Sequence, residues 1–217
     1  MAGPQLLPRT DLEHVDAGGV IDRLLADLRG GRRLAGGVPY RHVNGFTKIV
    51  AARYDDGSRL TLHYWPASRT AAQHVSRPHD HRFPFSSILL GGRQYFVELD
   101  EDPAGEPWQR FTYRPYLGGT LAHIAACGWI GLTQVRTVER APLHGQYVTT
   151  SAIVHRAVTD RREACATLVM RGPREKVRSQ VYYRPDEPPP RGGVQLGRRL
   201  ARAEVTRQLQ DIAAMIS

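Results

Sequence analysis

Two histidines separated by one residue stand at the head of an apolar run. His79 and His81 are followed by this run, which closes on Gly91 and Gly92. Because alternate side chains of an extended strand share a face, both imidazoles can point into one pocket. A third histidine, His155, lies in a later segment that also has the character of a strand, and it would complete a metal site from across a small barrel.

Such a ligand set indicates catalysis rather than a structural role for the metal. Three neutral imidazoles leave a divalent ion with its full charge and with open positions for water, dioxygen or a chelating substrate, whereas structural zinc sites are usually closed by four protein ligands. Imidazole suits iron, zinc, copper and nickel alike, so the ligands alone do not name the metal.

The elements that position these histidines are mostly short strands. From Phe46 onward, runs rich in β-branched and aromatic residues alternate with turn signals rich in Gly, Pro and Asp. Many short strands at this spacing favour a sandwich or a barrel. The predicted strands are Lys48–Tyr54, Arg59–Trp65, Ser86–Leu90, Gln94–Leu99, Gln109–Tyr116, Ile130–Val138, Gln146–Val148, Ala152–Ala157, Ala164–Arg171 and Ser179–Tyr183.

Helices are predicted at both ends of the chain. Apolar residues recur at helical spacing over Asp11–Arg29 and again over Leu196–Ile216. A proline-rich connector, Pro185–Pro190, precedes the second helix. We therefore predict an N-terminal helical extension over residues 1–45, a β-barrel over 46–184, and a connector with a closing helix over 185–217.

Composition fits a single soluble core but leaves the partners open. The chain of 217 residues is 41% hydrophobic, and its first residues lack the basic and apolar regions of a signal peptide, so we expect a cytoplasmic protein. The net charge of +9 would suggest nucleic acid, but the 28 arginines are spread along the sequence, which argues against that partner. Cys127 and Cys165 are interpreted as buried reduced thiols.

The histidine pair, the glycine that closes its run and the distant third histidine resemble the two sequence motifs of the cupin superfamily. The first motif runs from His79 to Gly92, and the second leads from Gly145 to His155. The resemblance covers roughly residues 45 to 172. It implies a mainly β fold, a cupin-like double-stranded β-helix (jelly-roll barrel), with the predicted helices outside it.

The first motif departs from the family in lacking a glutamate ligand. Phe85 and Ser86 stand where cupins commonly place it. The resulting three-histidine set is similar to that of the thiol dioxygenases within the superfamily, although their serine-histidine-tyrosine relay is not matched. Glu98, or with less support Gln94, could reach inward as an extra ligand. By resemblance to oxygen-using cupins, Fe(2+) is the first candidate metal, with Zn, Mn, Ni and Cu as alternatives.

Other polar residues lie on strands that would line or rim the barrel. Tyr147 and Tyr95 are candidate catalytic residues. Arg93, Arg59 and Tyr64 are candidate substrate-binding residues, since a guanidinium group pairs with a carboxylate in a two-pronged manner. Strand alternation must turn about half of such residues outward, and a register error of one residue exchanges the two sets.

These observations lead to the hypothesis of an iron enzyme that oxidises a small molecule with dioxygen. One alternative is an oxygen-independent isomerase or lyase in which the ion polarises a carbonyl. A 2-oxoglutarate oxygenase fits less well, because His81 occupies the position of its carboxylate ligand, although Arg171 would offer an anchor for that co-substrate. A non-catalytic ligand-binding or regulatory barrel is the third alternative. The resemblance also implies a homodimer.

Overall fold

The computed structural model describes residues 12, 14–34, 36–42, 44–68, 73–116, 121–190, 193–194 and 198–217. Helix α1 spans Ala17–Arg29 and helix α2 spans Arg202–Ile216. The strands are β1 (Tyr40–Arg41), β2 (Thr47–Arg53), β3 (Arg59–Trp65), β4 (Gln73–Val75), β5 (Phe85–Gly91), β6 (Gln94–Tyr116), β7 (Leu121–Glu139), β8 (Tyr147–Thr149), β9 (Val154–Asp160), β10 (Cys165–Arg171), β11 (Ser179–Tyr183), β12 (Gly193–Val194) and β13 (Arg198–Arg199).

The strands form two antiparallel sheets that face each other. The first has the order β13-β1-β2-β3-β10-β5-β8, and the second has the order β12-β7-β6-β9-β4 with β11 paired to β6. Phe85 and Val169 of the first sheet pack against Phe96 of the second, which fixes the inner faces. The mainly β fold of jelly-roll type, with a helix near each end, is therefore confirmed.

The largest apolar core lies outside this barrel, between the first sheet and the helices. Residues that alternate with the inward positions, among them Leu62 and Leu168, face α1 and α2. Helix α1 begins where the Asp16 carboxylate accepts a hydrogen bond of 2.9 Å from the Gly19 N–H, and it ends at Gly30. The buried stripe of α1 consists of Val20, Ile21, Leu24, Leu25 and Leu28.

The chain segments near the two ends are joined to the barrel by strand pairing. Strand β1 pairs with β2 on one side and with β13 on the other. Both helices start later than predicted, at Ala17 and Arg202, and residues 11 and 196 lie outside the described part of the chain. The boundaries at 45 and 184 stay predictions. None of the described helices combines the length and apolar character needed to cross a membrane.

One long hairpin replaces several of the predicted short strands. Strands β6 and β7 pair along most of their lengths, and residues 102–105 form an irregularity in β6 because Glu101 and Glu106 both lie opposite Leu132. The Asp-Pro-Ala-Gly sequence thus makes a bulge in a continuing strand, where its composition had indicated a chain reversal. Cys127 lies exposed on β7, which corrects the expectation of a buried thiol, while Cys165 is buried.

Candidate metal centre

The backbone brings the two histidine segments into direct contact. The His79 N–H donates to the His155 carbonyl at 2.9 Å, and the His155 N–H donates to the His79 carbonyl at 3.0 Å. His155 lies on β9 as predicted, but His79 forms an isolated bridge and His81 lies in the loop before β5. The pair is therefore presented by a loop segment bonded to β9, which differs from the predicted placement at the head of a strand.

The three imidazoles converge on one point. Candidate ligand atoms of His79, His81 and His155 all lie within 4.8 Å of one another, and His81 Nε2 is 3.3 Å from His155 Nε2. Two nitrogens that bind one ion at about 2.1 Å, with an angle of roughly 90–110° between the bonds, are separated by about 3.0–3.4 Å. The spacing between the His81 and His155 nitrogens therefore fits a shared divalent ion.

Tautomer and charge also suit metal binding. His79 Nδ1 lies 2.7 Å from the Arg77 carbonyl, so it carries the proton and leaves Nε2 free as a ligand. Burial lowers the pKa of His155 and of His81 well below the ordinary imidazole value, and it lowers the pKa of His79 as well. The rings are therefore neutral near pH 7, the form that binds a metal. His155 Nδ1 is buried without a hydrogen-bond partner in the described part of the chain.

Aromatic side chains enclose the histidines. The His81 ring lies edge-on to Phe85 at 4.8 Å between centroids, and the His155 ring lies edge-on to Phe96 at 5.2 Å. Tyr147 stacks on Phe96 at 4.1 Å and meets His155 at 5.9 Å. This wall limits the access of water on one side of the cluster.

Glu98 lies directly opposite His155 in the β6–β9 pairing, on the same face of the sheet. Its carboxylate is nonetheless engaged elsewhere, because Arg136 donates to Oε1 at 2.7 Å and to Oε2 at 3.0 Å, and the Tyr147 hydroxyl donates to Oε1 at 3.0 Å. Among the described residues, Glu98 is not part of the three-histidine cluster. The Glu98 carboxylate therefore lies beside the site, but both of its oxygens already accept hydrogen bonds from Arg136 or Tyr147.

Replacement of Glu98 tests whether it is a ligand. Glu98→Ala is expected to lower the free energy of unfolding by about 1–3 kcal/mol, because the buried Tyr147 hydroxyl loses its acceptor. Urea unfolding measures this loss, and metal analysis after anaerobic reconstitution is expected to show unchanged stoichiometry. Glu98→Gln retains an acceptor oxygen and serves as the milder control. Loss of the metal in Glu98→Ala would instead make this residue a fourth ligand.

Gln94 is the other candidate for an extra ligand. Its side-chain oxygen accepts a hydrogen bond of 2.6 Å from Arg140, and its amide donates to the Thr159 hydroxyl at 3.4 Å. Arg140 also donates to the Ser87 carbonyl at 2.6 Å, which ties the two sheets together. Neither Arg140 nor Arg136 was predicted as a site residue, since only the strand register shows that they reach Gln94 and Glu98.

The candidate catalytic tyrosines lie on different sheets, Tyr147 on β8 of the first and Tyr95 on β6 of the second. Tyr147 is 4% exposed and contacts His155, and burial is the main cause that raises its pKa. Tyr95 lies opposite Val158 and packs against an apolar cluster on the outer face of the second sheet, which includes Leu99 and Val158. Because side chains alternate along a strand, Tyr95 faces away from the histidines, and its proposed catalytic placement is corrected.

The three candidate substrate-binding residues do not lie together in the structure. Tyr64 lies on the outer face of β3, where its hydroxyl donates to Asp211 of α2 at 2.7 Å, so it anchors the helix. The side chain of Arg93 is 78% exposed and 3.8 Å from Glu163, outside the barrel. Of the three, Arg59 alone shares the inner face, since it lies opposite Arg171, which in turn lies opposite Phe85.

Asp80 supports the loop that carries the pair. Its carboxylate accepts hydrogen bonds from the Gln180 N–H at 2.6 Å and from Lys176 Nζ at 2.7 Å. Lys176 also donates to the Ser151 carbonyl at 2.6 Å. Asp80 therefore faces away from the cluster and fixes the backbone between His79 and His81.

Comparison with protein-family models gives no match, and comparison with curated proteins gives none either. Similar solved structures include a cupin superfamily protein from Desulfitobacterium hafniense, which is 9% identical with a TM-score of 0.34 over 61% of this chain and 81% of that chain. A hydroquinone 1,2-dioxygenase in complex with Cd2+ and 4-hydroxybenzonitrile is 13% identical with a TM-score of 0.37 over 79% and 82% of the respective chains. A structure of DMSP lyases is 15% identical with a TM-score of 0.38 over 70% and 71%.

Cupin superfamily proteins are thus among the structural neighbours of this chain. Independently of those distant matches, the two facing antiparallel sheets and the cluster of His79, His81 and His155 agree with the resemblance predicted from sequence. The fold and the site together define a mainly β barrel with a three-histidine cluster able to hold a divalent metal.

Proposed function

We propose that this protein is a mononuclear non-haem iron enzyme that oxidises a small molecule with dioxygen. The observation that supports the proposal is the convergence of three imidazoles, with His81 Nε2 and His155 Nε2 at 3.3 Å, in a cluster that includes no carboxylate from the described part of the chain. Three neutral ligands leave coordination positions for a substrate and for dioxygen. When bound, ferrous iron would activate dioxygen by donating electrons to it and would act as a template for the reactants, while the oxidised substrate would be the net source of electrons.

The residues of the chain have separate tasks in this proposal. His79, His81 and His155 hold the ion, and hydrogen bonding of His79 to the Arg77 carbonyl fixes one ring in the ligating tautomer. Phe85 and Phe96 exclude water from the side of the site that they cover. Tyr147 lies beside His155 with its hydroxyl proton directed to Glu98, so it shapes the wall and is not poised to transfer that proton to a substrate.

The test is metal analysis combined with oxygen uptake. Protein purified without oxygen is expected to bind about one Fe(2+) per chain and, with a substrate identified by screening small organic acids, to consume dioxygen in proportion to substrate loss. Chelation is expected to abolish the uptake, and Fe(2+) is expected to restore it. Substrate turnover without oxygen uptake would support the isomerase or lyase alternative. The absence of bound metal after anaerobic loading would contradict the proposal.

A further inference from the structure

Arginines lie side by side on neighbouring strands of the first sheet. Arg59 of β3 lies opposite Arg53 of β2 and opposite Arg171 of β10, and Arg171 lies opposite Phe85. Directly opposed residues share a face, and Phe85 identifies this face as the inner one because it packs against Phe96 of the other sheet. The arginine row therefore faces the interior of the barrel at one end of the strands.

Two further arginines join the row from adjacent segments. The N–H groups of Glu175 and Lys176 donate to the Arg82 carbonyl at 2.8 Å and 3.1 Å, which places Arg174 beside Arg82. The segment that carries Arg174 follows directly after Arg171, the last residue of β10. The guanidinium carbon of Arg171 lies 4.5 Å from the centroid of the Phe83 ring. We refer to Arg59, Arg82, Arg171 and Arg174 as the arginine cluster.

The arginine cluster has no acidic partner among the described residues. None of its members takes part in the ion pairs of that part of the chain. Burial lowers the pKa of Arg171 to about 10, helped by the repulsion of Arg59, Arg174 and Arg82. Arg171 Nε is buried without a hydrogen-bond partner, although the same guanidinium donates to the Gly57 carbonyl at 2.8 Å.

A neighbouring lysine experiences the same positive field. The pKa of Lys48 falls to about 8, mainly through burial and then through Arg171, Arg59 and Arg82. Like charges placed directly opposite one another on adjacent strands are destabilising. Three members of the arginine cluster are half-buried, and no carboxylate in the described part of the chain pairs with any of the four, so a bound anion would neutralise their charge.

The arginine cluster lies next to the metal centre. The Phe83 ring that Arg171 covers is 5.4 Å from the His81 ring, and Phe85, opposite Arg171, is 4.8 Å from that same ring. One layer of aromatic side chains therefore separates the guanidinium groups from a histidine of the site. Arg59, Arg82 and Arg171 are only partly exposed, a setting that suits a small molecule better than a nucleic-acid backbone.

We propose that the arginine cluster binds an oxyanion group, a carboxylate or a phosphate, of the small molecule on which the metal centre acts. The assignment to a substrate depends on the function proposed above, whereas anion binding itself does not. Guanidinium groups form paired hydrogen bonds with carboxylate and phosphate oxygens, and the buried Nε of Arg171 supplies a donor that lacks a partner.

Anion binding is tested by calorimetry on the full chain, with succinate and inorganic phosphate as probes and NaCl at equal ionic strength as the reference. Both the metal-free and the iron-loaded protein are titrated. We expect saturable binding of at least one probe, weakened about ten-fold or more by Arg171→Gln and by Arg59→Gln. Arg171→Lys keeps the positive charge but cannot form the paired hydrogen bonds of a guanidinium group, so it is expected to give an intermediate affinity. Arg23→Gln removes an exposed arginine from α1 and is the matched control.

The outcomes separate this inference from the proposed function. Binding to the metal-free protein that disappears in Arg171→Gln supports the anion site even if no iron is bound. Iron binding without saturable binding of either probe overturns the inference and leaves the metal centre intact. An equal loss of affinity in Arg23→Gln and Arg171→Gln, or tight binding of an oligonucleotide in place of both probes, also overturns it. Circular dichroism of each variant confirms that the fold is retained.

Discussion

His81→Ala is expected to lose stoichiometric metal, with the affinity reduced by more than about 100-fold. Replacement of residues that merely orient ligands already costs about 10–100-fold, so removal of a ligand should cost more. His81 lies in a loop whose backbone is fixed through its neighbours His79 and Asp80, so the substitution should leave the fold in place. Metal analysis of protein reconstituted without oxygen, together with a competitive chelator titration, measures the effect.

His123→Ala is the matched control for this experiment, because His123 is exposed on β7. It is expected to bind metal as the unchanged protein does. His155→Ala should repeat the loss seen in His81→Ala, since the two Nε2 atoms lie 3.3 Å apart. Full metal occupancy in His81→Ala, at unchanged affinity, would remove the basis for a three-histidine centre.

Leu168→Ala is expected to lower the free energy of unfolding by about 2–5 kcal/mol. Leu168 is 0% exposed, lies on β10 between Leu62 and Ile88 of the adjacent strands, and belongs to the core that joins the first sheet to both helices. The substitution removes buried methyl groups and leaves a cavity where the packed helices cannot easily collapse. Urea or guanidinium unfolding, followed by circular dichroism, provides the measurement.

Val135→Ala provides the comparison for this second prediction. Val135 is 54% exposed on β7, so its truncation should change stability by less than about 0.5 kcal/mol. A similar small change in Leu168→Ala would mean that the contacts between the sheet and the helices contribute little to stability. The helices would then be accessory to the barrel.

Local sequence patterns predicted much of the fold and the identity of the clustered histidines. Strands β3 and β11 have the predicted bounds, and the apolar spacing that predicted α1 also forms its buried stripe. His79, His81 and His155 were chosen by type and spacing, and the structure brings them together. These features depend on alternation and helical period, which neighbouring residues largely determine.

Features that depend on register could not be predicted in the same way. Tyr95 and Tyr64 have the residue type expected of a site, but alternation turns both away from the inner face. Glu98 does face inward, yet Arg136 on β7 and the Tyr147 hydroxyl engage its oxygens. The arginine cluster similarly arises from the alignment of separate strands, so no continuous stretch of sequence contains it.

The reciprocal backbone bonds between His79 and His155 have a consequence for the order of assembly. Two ligands that are distant along the chain become immediate neighbours through strand pairing alone, and packed rings then restrict the rotation of their imidazoles. The binding site would therefore be preorganised before the ion arrives, and little of the binding free energy would be lost in ordering the chain. In a cell, the supply of metal rather than the progress of folding would then set the fraction of loaded protein.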